Sequence, residues 1–485
     1  MKPRNQDSAS PRPRVKRPRH VQRAHDIYAP ATFFDQRTKR RVIRLAIDKM
    51  ARPARSLSRS CRTTPKAKAA YRLVGNYKLR PGQKRKERVT KDQLYNPIFQ
   101  HAAQSCRLEP RIYAVQDTSC LMFPTLRKTT GLGTADRREE QALWMHSALA
   151  IRPDGYILGL CHAHFWARPV AEFGKSAQRK KRPFEDKESY LWVGTANAVQ
   201  ALFHDQGIDA EIIHIADRAG DVHEVLQEYV DTGKRFIIRF ARDRKIEEEQ
   251  GYVRPQLAQQ PLLHTRTITI PRTRKHPQRQ ARVQVRSCRV TLHPPRTCPD
   301  HRRKKPVAVN VVWVHEPHPP QGVERIDWVL YTSEPVRSAD DCWEAVRAYK
   351  LRWRIEEYHR VLKSDCYAEK TQLKDADSII RLLALLAVAA IRILQLRDVA
   401  RAQPKEPCTL VLEHDEWRAL WLLIYEEPPE PDRPPPTMQE AVKMIGRLGG
   451  HLGRKGDGMP GAETLSLGLK ELEIAATVYR LLHGE

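Results

Sequence analysis

Residues 349–363 read YKLRWRIEEYHRVLK and carry the most specific pattern in the chain. Ser338, with Asp341 three residues on, resembles a capping box and predicts a helix that runs to about residue 363. At about 100° per residue, four side chains of this helix fall within a wedge of roughly 60° on one face: Tyr349, Arg352, Glu356 and Lys363. Such a mixture is unusual for a core face. The alternative is a solvated face joined by the Arg352–Glu356 pair, four residues apart.

Charge points to a polyanionic partner. The 485 residues include 86 Lys and Arg against 57 Asp and Glu, which gives a formal net charge of +29. Because Lys and Arg displace counterions from phosphates, nucleic acid is favoured over a membrane or another acidic partner. This surplus also exceeds what solubility requires. At roughly 150 residues per domain, the length predicts about three domains.

The nine cysteines are scattered and include no CxxC pair. This pattern favours neither a disulfide framework nor a zinc ribbon, and a reduced cytosolic compartment fits best. A metal site built from Cys161, His162, Cys298 and His301 is disfavoured because their spacing forms no clear tetrad.

Two further features bear on membranes. The first thirty residues are basic and lack the apolar stretch of a secretory signal. The most apolar run, residues 379–396, is interrupted by Arg381 and Arg392, which leaves too few apolar residues between them to cross a bilayer. We therefore expect a buried core helix there.

The N-terminal part divides into two segments. Residues 1–28 are basic with few apolar side chains, which predicts a disordered tail able to attract DNA. Residues 29–105 show helical spacing, as in Val42, Leu45 and Met50, and a basic run at 84–88. A small basic helical unit suits a domain that binds DNA ends, and a helical cap on the next domain is an equal alternative.

Residues 106–402 alternate strand and helix patterns, which predicts an α/β domain. Within it, 152–155 (RPDG) predicts a hairpin between the strands 144–151 and 156–162. A β-rich insertion is expected at about 245–327. Residues 403–485 form a predicted helical C-terminal domain, with six prolines between 428 and 436 marking a linker or loop.

Two aspartates end predicted strands. Asp117 follows an apolar run at 112–116, and Asp217 follows another at 212–216. Carboxylates at strand ends lie where α/β sheets bind ligands. An aspartate at such a position also commonly caps a turn, so neither residue is decisive by itself.

The spacing Tyr-x2-Arg-x3-Glu-x6-Lys at 349–363 resembles the signature of the bacterial insertion-sequence-four family of DDE transposases. The resemblance covers most of the chain from about residue 33 and is loose across the β insertion and the Pro-rich loop. Other stretches are similar to this family: Ala70–Leu73 (AYRL), Gln116–Ser119 (QDTS), Trp144–Ser147 (WMHS), Asp217-Arg218, Trp328–Val336 (WVLYTSEPV), Arg352–His359 (RWRIEEYH) and Gly446–Gly450 (GRLGG).

The resemblance implies an RNase H-like α/β core with Asp117, Asp217 and Glu356 as its catalytic and metal-binding triad. Three carboxylates suit two Mg²⁺ or Mn²⁺ ions, which together support in-line attack on a phosphodiester. Four residues would contact phosphates near the cut end: Arg239, Tyr349, Arg352 and Lys363. Trp328 would stack on a flipped base. Without the resemblance, Trp328 is better interpreted as a core aromatic residue.

The implied activity is cleavage of the ends of a mobile element and their joining to target DNA, through a hairpin intermediate if the family route holds. A homodimer on double-stranded DNA is expected in the bacterial cytoplasm, at the nucleoid. The C-terminal domain offers apolar residues for pairing, which equally well fill the monomer's own core: Leu465, Leu467, Leu469, Leu472, Ile474 and Leu482. The alternatives are an RNase H-like nuclease without strand transfer and an inactive DNA-binding remnant or inhibitor of transposition.

Overall fold

The computed structural model describes residues 19–483 with gaps at 62, 76–88, 136, 139, 176–177, 179–180, 271–276, 296–303 and 455–456. Three features named above lie outside the described residues: the first 18 residues of the basic tail, the basic run at 84–88, and the pair Cys298 and His301.

The described residues between 29 and 105 are mainly helical, as the sequence predicts. Asp35 caps the second helix by accepting a hydrogen bond from the backbone N–H of Thr38, and Thr90 with Gln93 forms a capping box at the fifth. The helices are α1 (Arg19–Tyr28), α2 (Gln36–Ala51), α3 (Leu57–Ser60), α4 (Thr64–Val74) and α5 (Lys91–Gln104).

The prediction of a disordered tail over residues 1–28 is wrong for residues 19–28, which form α1. Ala24, Ile27 and Tyr28 are buried, so one face of this basic helix is apolar enough to pack. Arg19 donates from its backbone N–H to Glu413 and from its guanidinium to the carbonyl of Thr409, both at 2.8 Å. Distant C-terminal residues thus hold a segment whose composition alone suggests disorder.

A mixed sheet forms the centre of the protein. Its strands run in the order β2-β3-β1-β5-β6-β10-β9-β8-β7, and β4 pairs with β3. They are β1 (Arg111–Met122), β2 (Gly133–Thr134), β3 (Gln141–Ile151), β4 (Ile157–Trp166), β5 (Glu211–Ala216), β6 (Arg235–Arg239), β7 (His264–Ile270), β8 (Arg279–Leu292), β9 (Val307–His315) and β10 (Asp327–Thr332). The helices α6 (Tyr190–Asp205), α7 (His223–Asp231) and α8 (Val253–Gln259) connect them.

Two pairings matter for the site. β5 runs parallel to both β1 and β6, so the carboxyl ends of these three strands meet at one edge. The hairpin predicted at 152–155 is confirmed, since β3 and β4 pair antiparallel and Gly155 adopts φ +92°. The strands of the predicted insertion do not form a separate sheet, because β9 pairs with β10 and extends the central sheet outward.

The helix predicted from Ser338 to Lys363 is interrupted, which corrects the single-face argument. The capping box at Ser338 is confirmed, and α9 (Ala339–Lys350) follows it. A tighter stretch comes next, in which Leu351 and Arg352 donate to carbonyls three residues back. α10 (Trp353–Arg360) then leads into a π-helical turn at Val361–Asp365. The four signature residues therefore lie in four different segments, and no common helical wheel relates them.

The C-terminal half packs around α11 (Ala376–Ala402). By length and composition α11 is able to span a membrane, but 94% of its most apolar 18-residue window is buried inside the protein, which confirms the predicted core helix. It contacts α2, α5 and β4, and the later helices complete the C-terminal half. These are α12 (His414–Tyr425), α13 (Met438–Leu448) and α14 (Ala462–His483).

Candidate active site

Asp117 lies inside β1, and the prediction that it ends a strand is wrong. β1 pairs with β5 only as far as Val115, whereas its pairing with β3 continues to Met122. Asp117 therefore stands two residues beyond the parallel ladder, on a strand that β3 keeps extended. Its side chain is 15% exposed.

Asp217 follows the last residue of β5, as predicted, and begins a short 3₁₀ turn at Arg218–Gly220. Its Oδ1 accepts a hydrogen bond from the backbone N–H of Ala219 at 2.8 Å. Oδ1 of Asp117 accepts one from Thr118 at the same distance. In both aspartates a local backbone N–H fixes Oδ1, and the other carboxylate oxygen lies outside that bond.

Glu356 comes from α10, which packs on β1. Arg352 joins it to the strand: Nη1 of Arg352 lies 3.7 Å from Oδ2 of Asp117, and Nη2 donates a hydrogen bond to the Glu356 carboxylate. The Arg352 side chain is 13% exposed, so the guanidinium forms part of the floor of the site. The carboxylates of Asp117 on β1 and Glu356 on α10 thus share the Arg352 guanidinium as a positively charged partner.

The three carboxylates are close enough for the charges of Asp217 and Glu356 to affect the pKa of Asp117. Burial, followed by the charge of Asp217 and more weakly that of Glu356, raises the pKa of Asp117 to about 7. The Thr118 N–H and the Arg352 guanidinium oppose that rise. Burial also lowers the pKa of Arg352, but Glu356, Tyr349 and Asp117 outweigh it and leave that pKa raised.

An aromatic and cationic cluster borders the carboxylates. Trp328, half-buried on β10, meets the ring of Tyr349 edge-on at 5.5 Å, and the Arg239 guanidinium lies 5.6 Å from the indole centre. Burial raises the pKa of Tyr349, as does the charge of Asp217, while Arg352 and Arg239 oppose that rise. These side chains therefore lie beside the acidic group.

A cavity of about 500 Å³ opens at Trp328 and Arg239. Three arginines to which sequence analysis assigned no role also line it: Arg218, Arg254 and Arg325. Arg254 forms an ion pair with Asp327 at 2.9 Å, and Arg325 lies 3.8 Å from the same carboxylate. The cavity is thus predominantly cationic. The sequence signal was weak, because these arginines come from separate elements of an arginine-rich chain.

Lys363 is connected to the carboxylates less directly than the other signature residues are. It lies in the π-helical turn, half-buried, and its charge adds to the effect of burial in lowering the pKa of His359. In the described part of the chain, no hydrogen bond or ion pair joins Lys363 to any of the three carboxylates.

Buried polar residues that sequence analysis gave no role surround Asp117. His146 forms hydrogen bonds to Thr118 at 2.7 Å and to Gln116 at 3.2 Å, so it contacts β1 at the residues on either side of Asp117. On the other face of the sheet, Ser147 Oγ and His359 Nε2 are 2.7 Å apart. His146, Ser147 and His359 all stand in stretches that resemble the family.

The described residues include no group of three His, Cys, Asp or Glu side chains already close enough to hold a metal ion. That finding covers Cys161 and His162 as well as the three carboxylates. At the carboxylates, the Arg352 guanidinium supplies positive charge between Asp117 and Glu356. All eight cysteines in the described ranges are free.

Carboxylates flanked by arginines and aromatic rings, on an α/β sheet in a strongly basic chain, are the arrangement of an enzyme acting on nucleic acid. Comparison with known families is more specific. Residues 24–79 match a transposase DNA-binding domain, residues 195–392 a transposase DDE domain, and residues 388–482 a Tn5 transposase dimerisation domain. The chain carries the DNA-binding, DDE and dimerisation domains of a transposase, and together these support a DDE-type DNA transposase.

The matches also bear on earlier alternatives. The DNA-binding match favours that role for the N-terminal helices over a cap on the next domain. The dimerisation match supports a pairing role for the C-terminal helices. DDE domains of transposases generally use divalent metal ions and imply an RNase H-like core. The predicted domain boundaries and the individual site residues stay predictions.

Proposed function

We propose that this protein cuts the ends of a mobile DNA element and joins them to target DNA. Its reaction centre is formed by Asp117, Asp217 and Glu356. The observation that carries the proposal is their convergence: Asp217 and Glu356 both act on the charge of Asp117, although they come from another strand and from a helix about 100 and 240 residues along the chain. The RNase H-like core corresponds to the strands β4-β3-β1-β5-β6.

The donor set fits divalent metal. Carboxylate oxygens are the ligands that Mg²⁺ and Mn²⁺ prefer, and both aspartates keep one oxygen outside their local hydrogen bond. A neighbouring cation also offsets the burial and the mutual repulsion that together raise the pKa of Asp117. Two ions held by Asp117, Asp217 and Glu356 would activate the attacking oxygen and stabilise the leaving oxygen.

The cations and rings beside the carboxylates fit DNA near the cut. Arg239, Arg352, Tyr349 and Lys363 contact phosphates, because guanidinium, phenol and ammonium groups all donate to phosphate oxygens. Trp328 borders a cationic cavity of about 500 Å³ and stacks on a base extruded from the strand. These contacts bend and hold the end while its phosphate is attacked.

The reaction proceeds by phosphoryl transfer alone. Water nicks one strand at the element end, and the freed 3′-hydroxyl attacks the opposite strand to close a hairpin. Water reopens the hairpin, and the 3′-hydroxyl then attacks target DNA. Each step replaces one phosphodiester oxygen by another, so no nucleophilic side chain and no organic cofactor is needed.

The assembly is a homodimer on two DNA ends, acting at the nucleoid in the bacterial cytoplasm, and the chain is a member of the insertion-sequence-four family. The deciding experiment incubates the full-length protein with Mg²⁺ and DNA bearing the element's own ends. Nicked, hairpin and joined products are expected. Nicking without joined products would indicate a nuclease, and end binding without any nicking would indicate an inactive remnant or an inhibitor.

A further inference from the structure

The segment that carries Glu356 is short and irregular on both sides. α10 has eight residues, between a stretch of three-residue hydrogen bonds at 351–352 and the π-helical turn at Val361–Asp365. A helix of two turns has little stability by itself, so its position depends on side-chain contacts. The position of Glu356 therefore depends on what anchors this segment.

Most anchors of α10 lead to other helical parts of the chain. Arg354 bonds to Glu357 on its own helix and to Asp398 on α11. His359 differs, because its partner Ser147 belongs to β3, at 2.7 Å. Both are buried, with Ser147 at 0% and His359 at 5% exposure. Among the described hydrogen bonds, this is the one that ties α10 directly to the sheet beside Asp117.

The register explains why this contact matters. Ser147 is the cross-strand partner of Asp117 in the β1–β3 ladder, so the two side chains emerge on the same face of the sheet. His359 is three residues after Glu356, less than one turn along the same helix. The Ser147–His359 bond thus lies next to Asp117 on one side and next to Glu356 on the other.

We propose that Ser147 and His359 are positioning residues, which fix Glu356 relative to Asp117 and so set the affinity of the acidic site for divalent cations. The inference rests on the proposed function and extends it to a pair of residues that touch neither substrate nor ion. Residues of this kind orient the element that carries a metal-ligating side chain without binding the metal themselves. Their loss weakens metal binding although the ligating side chains remain.

The test compares Ser147→Ala with Ser378→Ala in the full-length protein. Ser378 is a matched control, because it is 1% exposed and its hydroxyl accepts a hydrogen bond from Arg381 at 3.3 Å, without touching the acidic site. Mn²⁺ binding is followed by electron paramagnetic resonance of the free ion, which needs no turnover. We expect Ser147→Ala to weaken Mn²⁺ binding by about tenfold, and Ser378→Ala to leave it unchanged.

His359→Gln supplies the rescue, since the glutamine amide reaches the position of Nε2 and can still bond to Ser147. It should bind Mn²⁺ more tightly than His359→Leu, and metal-free binding of end DNA should be equal in both. Unchanged Mn²⁺ affinity in a less thermally stable Ser147→Ala variant would mean a purely structural bond and would overturn the inference. Absence of metal-dependent nicking by the unmodified protein would instead count against the proposed function.

Discussion

Nη1 of Arg352 lies 3.7 Å from Oδ2 of Asp117, on the side of that carboxylate away from its bond to Thr118. The same guanidinium bonds to Glu356, so Arg352 provides the positive charge that the acidic site needs when no metal is bound. Under the proposed function, the stability of the site should therefore depend on both Arg352 and divalent cations.

Replacement of Arg352 by Gln should destabilise the metal-free protein, because Asp117 and Glu356 then lack their shared partner. We expect a loss of about 1.5–3 kcal/mol in EDTA, typical of hydrogen bonds to charged groups. Ca²⁺ should restore more stability to this variant than to the unmodified protein. Calorimetry checks both, with Arg347→Gln as control, since its ion pair with Glu344 is exposed and contributes little. The prediction would be contradicted if Ca²⁺ stabilised Arg352→Gln no more than it stabilises Arg347→Gln and the unmodified protein.

The carboxylates themselves are tested by the near-isosteric changes Asp117→Asn, Asp217→Asn and Glu356→Gln. Each should lower metal-dependent nicking by at least about a hundredfold, because the lost carboxylate charge is needed to hold the divalent ions that act on the reacting phosphate. Metal-free binding of end DNA should persist. Asp231→Asn, on the exposed end of α7, is the matched control. A variant that nicks at a near-normal rate removes that residue from the triad.

Trp328→Ala should leave the first nick nearly normal and slow hairpin formation. Loss of a base–aromatic stack costs about 1–3 kcal/mol, which corresponds to roughly a tenfold to hundredfold effect. Trp328→Phe keeps a ring and should retain more activity. Denaturing gels separate nicked from hairpin products. If both steps fell together in a thermally unstable Trp328→Ala protein, the indole would be a core residue only.

Pairing of two copies should depend on the outer face of α14. Three of the predicted leucines, Leu465, Leu469 and Leu472, are buried in the monomer itself, so for these the core interpretation is correct. The exposed apolar side chains of α14 include two of the predicted residues, Ile474 and Leu482, together with Val478 and Leu481.

Ile474→Lys combined with Val478→Lys should abolish the two-ended complex without unfolding, because both positions are 44% or more exposed. Light scattering with end DNA measures the stoichiometry. Leu262→Lys, at an exposed site near the start of β7, is the control. A two-ended complex that survives the double change excludes this face as the pairing surface.

Local patterns predicted most of the strands, because alternation and turn residues are local signals. The RPDG turn at 152–155 fixed the hairpin β3–β4, and the apolar run before Asp217 fixed β5. Asp117 was misplaced relative to its strand, because the polar residues after Val115 resemble a loop. They remain extended only since β3 pairs with them as far as Met122.

The sequence predicted which residues the candidate site contains better than it predicted how those residues are arranged. Fixed spacing identified Arg352 and Glu356, but the break before α10 follows no Gly or Pro, so a continuous helix was expected. The anchoring pair of Ser147 and His359 joins residues 212 positions apart, and no local pattern reveals such a bond. Long-range partners decide which polar residues serve the site.

The hydrogen bonds between α1 and the C-terminal half also have a consequence for biosynthesis. Arg19 and Arg23 bond to Thr409, Glu413 and Gln395, which are between 372 and 394 residues further along the chain. At about 5–20 residues per second, a ribosome needs roughly 20 to 80 seconds to reach those partners after it has made α1. During that interval the first helix of every nascent chain can pack only on α2 and α5, so its polar contacts with the C-terminal half form among the last events of synthesis.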